Sequence, residues 1–494
     1  MRISVVIGTI GTILKLFSFA FLLPVIPALY FWESGSEFIF TQIPGTIIIF
    51  ILCFIITLIC GIVMEIAGKR EDFTDKEGFA IVSAGWLVVA FFASLPFLFA
   101  GSVSSFTDAY FEAMSGITTT GATILSYPLE DHYQSVLFWR ALLQWLGGMG
   151  IIVLSVALLT RLTRGGRRLI EAEAPGPSLH KLKPTIMQTA KLLWLVYLFF
   201  TMAEIIALVV VGVPFYESVY HAFTTMSTGG FSPHTASVGH YSVLVHWVII
   251  VFMIIAGTNF TLHYHAIHGK GREYLKDPEF KFYMVMIFFA GLFIFLSQVT
   301  SGYESGNSVH TSAFQTVSIM TSTGYTTANY DAWPEFSRFV LLLVMFVGGC
   351  AASTGGGMKQ VRVLLMLKML KKKLRQLLNP LEVVHVRLGN TVISDQDLHT
   401  ITMFFFSYIL IFIISTGAML ALGLDMISGA SASASCLGNV GPALGTVGPD
   451  FSYAALPKLA KIWLIACMWL GRLEIFAAII LFIPTAYKRE AFLR

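Results

Sequence analysis

Charge is what this sequence has least of. Only 12% of its 494 residues are Asp, Glu, Lys or Arg, about half of the roughly 25% that clothes an average soluble domain. That scarcity excludes a water-soluble enzyme of several domains. Cysteine is scarce too. Cys53, Cys60, Cys350, Cys436 and Cys467 are odd in number and lack close metal-type spacing, so they read as small packing residues and not as a disulfide framework. There is no His-Glu-x-x-His, no Gly-x-Ser-x-Gly in catalytic context and no Walker-type Gly-Lys-Ser/Thr, and Gly165-Gly166 belongs to a basic loop. His263, His265 and His268 share no single helix face and read as interfacial histidines before they read as a metal site. A membrane enzyme would need a convergent nucleophile or metal constellation, which is missing.

What the sequence has instead is apolar length. The hydrophobic set makes up 56% of the chain, and mean hydropathy is +0.76. About 20 apolar residues in a helix cross a hydrocarbon core of about 30 Å. Ten stretches approach or exceed this: 4–31, 43–67, 78–100, 134–160, 185–212, 240–267, 279–299, 336–376, 398–424 and 457–486. The first is too long for a cleavable signal peptide and has no small-x-small site after it, so it is expected to stay as a helix.

Basic residues gather in alternate loops: Lys69, Arg70 and Lys76; Arg161, Arg164, Arg167, Arg168, Lys181 and Lys183; Lys270, Arg272 and Lys276; Lys368, Lys371, Lys372, Lys373 and Arg375; Lys488, Arg489 and Arg494. The positive-inside rule places these loops and both termini in the cytoplasm. The opposite loops carry Glu33, Glu37, Asp108, Glu112, Glu130, Asp131, Glu217, Glu304, Asp331, Glu335, Asp425 and Asp450. Such a rim would concentrate cations at an outer mouth; ordinary solvated loop charge is the plainer reading of any one of them.

Four of the outer loops share an unusual form. A short, weakly apolar helical segment leads into Thr118-Thr119-Thr120-Gly121, Ser227-Thr228-Gly229, Ser322-Thr323-Gly324 or Asn439-Val440-Gly441, and a long span follows. Aligned on Gly121, Gly229, Gly324 and Gly441, the pattern recurs about every hundred residues, as internal repeats do. Irregular backbone survives at membrane depth only when buried in protein or lining a water-filled cavity. Four such loops around one axis would offer a ring of oxygens that replaces an ion's hydration shell, with glycine where a Cβ would not fit. A structural scaffold would leave these loops unexplained.

Two interruptions complete the pattern. The 348–357 run, with Gly348, Gly349, Ser353, Thr354, Gly355, Gly356 and Gly357, would cost a helix about 1 kcal/mol per glycine relative to alanine. It is expected to form an intramembrane loop beneath the ring and to act as a gate; the competing reading is a small-residue patch for helix packing. Arg472 falls midway along the last expected span. At the bilayer centre it would cost about 3 kcal/mol on insertion scales, so it should face a polar cavity. There it would be a barrier to cations or a tether for the glycine-rich loop, or else pair with a buried acid such as Glu204.

These pieces resemble the Trk/Ktr/HKT superfamily of potassium transport proteins, most closely its bacterial and archaeal TrkH branch. The resemblance runs along essentially the whole chain and is carried by the four Thr/Ser/Gly loops and the glycine-rich run. It implies an all-α polytopic fold. A two-helix hairpin over 1–76 would precede four pseudo-fourfold repeats, each a helix, a re-entrant pore helix, a filter loop and a helix: 77–184, 185–277, 278–394 with the gating loop, and 395–494. It also implies K⁺ uptake across the cytoplasmic membrane, with K⁺ held at Thr119, Thr120, Thr228, Thr323 and Val440, and with Arg472 and the glycine-rich loop as the gate. No covalently bound cofactor, enzymatic activity or nucleic acid is implied. The implied partners are a second copy of the chain, membrane lipids and a cytosolic ring of Trk-type RCK regulator subunits with nucleotide-binding Rossmann domains. Symport of K⁺ with H⁺ or Na⁺ is the alternative. Asn439 and Pro442 make the fourth loop the least regular of the set.

Overall fold

The computed structural model describes residues 1–33, 45–69, 71, 74–161, 186–303 and 308–482. Arg70, most of the basic loop that includes Arg164 and Lys183, Glu37, Glu304, and the terminal Lys488, Arg489 and Arg494 lie outside the described residues. Helices dominate, as they must where backbone groups find no water. The strands among the described residues are one two-residue pair, Arg387–Leu388 with Thr391–Val392.

Among the described residues, six helical stretches are long and apolar enough to cross a membrane: Ile3–Tyr30, Gly45–Ala67, Lys76–Phe99, Thr189–Val210, Pro278–Thr300 and Asp395–Ala421. A seventh crossing is a bent pair, Val243–Ala256 and Phe260–Ile267, at 103° to one another. Local chemistry fixes several starts. Ser394 and Asp277 accept hydrogen bonds from first-turn backbone N–H groups, and Pro278 fills a first-turn position where no donor is needed.

Four short helices of 12 or 13 residues lie between the long ones: Phe106–Ile117, Phe215–Met226, Ser308–Met320 and Met426–Gly438. At 1.5 Å per residue each is only about 20 Å long, too short to cross. Ser105 and Asp425 cap the first and fourth, and Pro214 introduces the second.

Three of the apolar stretches are broken, the first of them as expected and the other two not. The 336–376 stretch forms Glu335–Val347 and Gln360–Leu378, with the glycine-rich segment non-helical between them. The 240–267 stretch breaks at Gly257-Thr258-Asn259, where Asn259 caps the second piece. The 457–486 stretch stops at Arg472, because Glu474 and Ile475 take positive φ values of 54° and 58°. Arg472 is therefore the last residue of its helix and not midway along a span. In the first repeat Gln134–Arg161 runs unbroken through Gly147, Gly148 and Gly150.

The N-terminal helices meet through glycine. A Cβ on Gly68 would collide with the Gly8 backbone, and one on Gly11 with the backbone around Glu65. Lys69 N donates to Ser4 O at 3.0 Å, and Arg2 fastens the pair to the next helix through Glu77, with Nε and Nη2 each at 2.9 Å. Small residues give such helices their closest approach in a membrane. Gly68→Leu is expected to destabilise the protein by about 1–3 kcal/mol, whereas Gly85→Leu, which meets nothing within 4 Å, should be neutral. Thermal unfolding in detergent separates the two outcomes.

Candidate functional site

Each short helix ends in the same turn. Thr119, Thr228, Ser322 and Asn439 adopt left-handed φ of 53°, 54°, 59° and 53°. The next N–H reaches back five residues in every copy: Thr120 N to Ser115 O, Gly229 N to Thr224 O, Thr323 N to Ser318 O and Val440 N to Ser435 O, at 2.8–2.9 Å. A positive-φ glycine follows in each, namely Gly121, Gly230, Gly324 and Gly441. The second loop is thus in register through Gly230, and Gly229 occupies the place of Thr120, Thr323 and Val440. Consecutive glycines in Thr228-Gly229-Gly230 hide that one-residue shift from a sequence alignment.

These glycines close a circle. A Cβ on Gly121 would strike the Gly229 carbonyl oxygen, one on Gly230 the Thr323 oxygen, one on Gly324 the Val440 oxygen, and one on Gly441 the Thr120 oxygen. Every loop leans on the next, and the fourth returns to the first. Asn439 strengthens that last seam by donating to Thr120 Oγ1 at 2.9 Å and Met468 O at 3.0 Å. The hydroxyls mostly hold the turns: Thr118 bonds Thr120 at 2.8 Å, Thr321 bonds Thr323 at 2.7 Å, and Thr228 donates to Ser227 O at 2.6 Å. Thr119 Oγ1 is buried without a partner. The ring therefore presents mainly backbone oxygens, with the negative ends of four helices beside it.

Side chains behind the ring brace it. Gln144 donates to Gly229 O at 2.7 Å and accepts from Phe231 N at 3.1 Å. Tyr453 donates to Gly441 O at 2.8 Å. Arg140 and Glu112 form an ion pair of 2.6 Å at essentially no exposure; Glu112 also accepts from Ile124 N at 2.7 Å, and Arg140 lies 4.0 Å over the Phe231 ring. Glu112 is thus a brace and not part of an acidic rim. Glu33 is also buried, bonded to Ser135 N and Oγ, and Asp108 pairs with Lys461 at 2.7 Å. Glu130, Asp131, Glu335, Asp425 and Asp450 are the exposed acids of the expected rim, while Asp331 is only partly so. An outer cavity opens on the ring, lined by Gly121, Gly230, Gly324, His234, Thr326 and Pro442 among others.

The glycine-rich loop lies against the second, third and fourth turns. Thr354 Oγ1 donates to Met226 O or Ala256 O, each at 3.0 Å, and Gly356 N donates to Ser322 Oγ at 2.6 Å. A Cβ on Gly356 would strike Gly438 O. Gly348 and Gly357, at φ 75° and 72°, pack on one another. Gln360 N donates to Gly349 O at 3.0 Å, Ser353 Oγ to Cys350 O at 2.6 Å, and Lys359 Nζ to Gly355 O. Arg472 spans the loop and the first repeat, donating to Thr354 O at 2.9 Å and Gly147 O at 3.2 Å. No carboxylate pairs with it among the described residues: Glu474 takes Arg362 at 2.5 Å, and neither oxygen of Glu204 has a hydrogen-bond partner. His263 bonds Tyr274 and Ile255 O, and no metal-holding cluster of His, Cys, Asp or Glu exists among the described residues.

A family model described as a cation transport protein, TrkH, matches residues 46–489. The Trk system potassium uptake protein TrkH of Salmonella typhimurium is 38% identical over 99% of this chain and all of its own. TrkG of Escherichia coli is 32% identical over 97% of this chain and 98% of its own. The crystal structure of the potassium transporter TrkH from Vibrio parahaemolyticus superposes with a TM-score of 0.88 at 35% identity, covering 99% of this chain and 100% of that one. These relatives are named as transport proteins and not as enzymes.

The Arg140–Glu112 brace makes a clear prediction. Removing one partner strands a buried charge, so Arg140→Leu is expected to cost about 3–5 kcal/mol, while Arg140→Met with Glu112→Leu should recover most of it. Thermal unfolding of the wild-type protein and the two purified variants in detergent checks this; a double variant no more stable than Arg140→Leu would contradict it.

Proposed function

The chain belongs to the TrkH family of cation transport proteins, and from that premise we propose that it takes K⁺ into the cell through the axis of the four-loop ring. The observation that carries this reading is the closed circle in which each loop's glycine abuts the next loop's carbonyl. Carbonyls around Thr120, Gly229, Thr323 and Val440, with Thr119 and Thr228 beside them, replace the ion's hydration shell. The four repeats divide at 77–184, 185–277, 278–394 and 395–494, behind the hairpin at 1–76.

The gate is the 348–357 loop held by Arg472. Its contacts with the second, third and fourth turns, extended to Gly147 by Arg472, support an obstructed path in this conformation, and a fixed guanidinium beneath the ring repels cations. The basic loops, including Lys69, Lys76, Lys270, Arg272 and Lys276, face the cytoplasm with both termini. The Lys368-to-Arg375 cations lie on Gln360–Leu378, the helix leaving the loop. They meet anionic lipid headgroups and receive force from a nucleotide-binding regulator ring. The chain works as a homodimer with one path per protomer.

Flux assays in reconstituted vesicles under K⁺, Na⁺ and H⁺ gradients test this. A channel's reversal potential follows K⁺ alone, whereas that of a symporter shifts with the second ion. Gly121→Ser and Gly230→Ser are expected to cut K⁺ preference over Na⁺ by about tenfold, or about 1.4 kcal/mol. Gly229→Ser should have a smaller effect, because its Cβ meets the movable end of Gln144. Equal Na⁺ and K⁺ flux before substitution would refute the selectivity claim. Arg472→Ala is expected to raise resting K⁺ flux by about tenfold; unchanged flux would remove both the barrier and the tether.

A further inference from the structure

Glu204 has no place in the path described so far. It lies in the helix Ile186–Val210, wholly buried, and neither carboxyl oxygen has a hydrogen-bond partner. An isolated carboxylate at such a depth is costly, and intramembrane ionisable groups are retained chiefly for function.

A polar chain leads from the outer surface to this carboxyl. His234, beside the outer cavity, sits 3.4 Å from Glu130 and 3.6 Å from Glu217, and its ring stacks on His240 at 4.2 Å. Tyr241 donates to Glu217 Oε2 at 2.6 Å. His221, fully buried, joins Tyr241 through Nε2 at 3.1 Å and Tyr325 through Nδ1 at 3.2 Å. The Tyr325 hydroxyl meets Thr225 Oγ1 at 3.2 Å and Thr224 Oγ1 at 2.5 Å. Thr225, on the helix packed against Ile186–Val210, is the hydroxyl that acts on Glu204, without a hydrogen bond to it in this conformation. Tyr325 directly follows Gly324, and Thr225 lies in the last turn of the helix that ends at Met226, before Thr228 and Gly229. The chain thus runs behind the seam between the second and third loops.

We propose that Glu204 is a proton-binding site filled from the outer solution through this chain, and that its charge sets how tightly the adjacent ring holds K⁺. A proton from outer water adds to the Glu217 carboxylate. It passes to the Tyr241 oxygen as Tyr241 gives its own proton to His221 Nε2. His221 then releases the Nδ1 proton to Tyr325, Tyr325 releases one to Thr225, and Thr225 releases one to Glu204. Every intermediate gains one proton and loses one, and the net change is one proton moved from water to Glu204. The path back is the same. Beyond Glu204 no hydrogen-bonded group continues inward among the described residues, so the branch is a dead end that senses outer protons and does not carry them across.

The groups around Glu204 leave it as the titrating centre. Tyr197 on its own helix and Tyr325 are ionisable side chains within electrostatic reach of Glu204, and Arg472 lies within reach of the same Tyr197. Arg140 on Gln134–Arg161 is held by Glu112. His246 on Val243–Ala256 pairs with His310 at 3.2 Å, and His263 on Phe260–Ile267 is bonded to Tyr274. At the outer end, the neighbouring Glu217 carboxylate, with Glu130, raises the proton affinity of His234 above that of an ordinary histidine, which keeps a proton near the mouth of the chain.

The proposal rests on the ring being the K⁺ path, and the test separates the two. The full chain in phospholipid vesicles is assayed for K⁺ flux with inner pH fixed and outer pH varied, and infrared difference spectra follow the carbonyl stretch of a protonated carboxylic acid. As outer pH rises from about 5 to about 8, ionised Glu204 should lower the wild-type K⁺ half-saturation by about fivefold or more. Glu204→Gln should stay flat at the acidic limit and lack the infrared band, while Tyr241→Phe should keep the band but lose or slow its response to outer pH. An outer-pH response or a titrating band that survives in Glu204→Gln would overturn the proposal. So would a response that follows inner pH, or a reversal potential that moves with the H⁺ gradient. A band that titrates in protein without K⁺ flux would uphold the proton site and refute the pore.

Discussion

Irregular backbone at membrane depth has no water to bond, and that constraint governs every other feature of this molecule. The four turns and the glycine-rich loop persist because they satisfy one another. Each turn closes a backbone bond to its own helix, places a glycine against the next turn's carbonyl, and is braced by Asn439, Gln144, Ser318 or Tyr453. The loop beneath is secured in the same way, by contacts to Met226, Ser322, Gly438 and, through Arg472, Gly147.

The fold was legible from sequence wherever local chemistry decided it. Apolar length announced the spans, and the Thr/Ser/Gly turns at their spacing announced the repeats. The cost of glycine in a helix announced the break between Val347 and Gln360. The breaks at Gly257-Thr258-Asn259 and after Arg472 were hidden, because the flanking residues are as apolar as a straight span and the turn is imposed by packing. The register of the second turn was hidden for a different reason. Two glycines in a row offer two alignments, and only the neighbour's carbonyl chooses Gly230.

Charge shows the same division. The sequence marked Arg472 as anomalous by depth, but its partners are the carbonyls of Thr354 and Gly147 and not an acid. Composition counted Glu112 and Glu33 with the outer acids, whereas both are buried and bonded to the protein. Loop membership says on which side of the membrane a charge lies. Whether it meets water or an arginine depends on side chains more than twenty residues away.

The circle of glycines also has a direction. Each loop makes room for the carbonyl ahead of it and lends its own carbonyl to the loop behind, so no repeat holds both halves of any seam. A bulkier residue in one repeat can be accommodated only by a change in the next, never within its own. The four quarters therefore cannot drift apart in sequence independently: they are bound to vary in ordered pairs, first with second, second with third, third with fourth, and fourth with first.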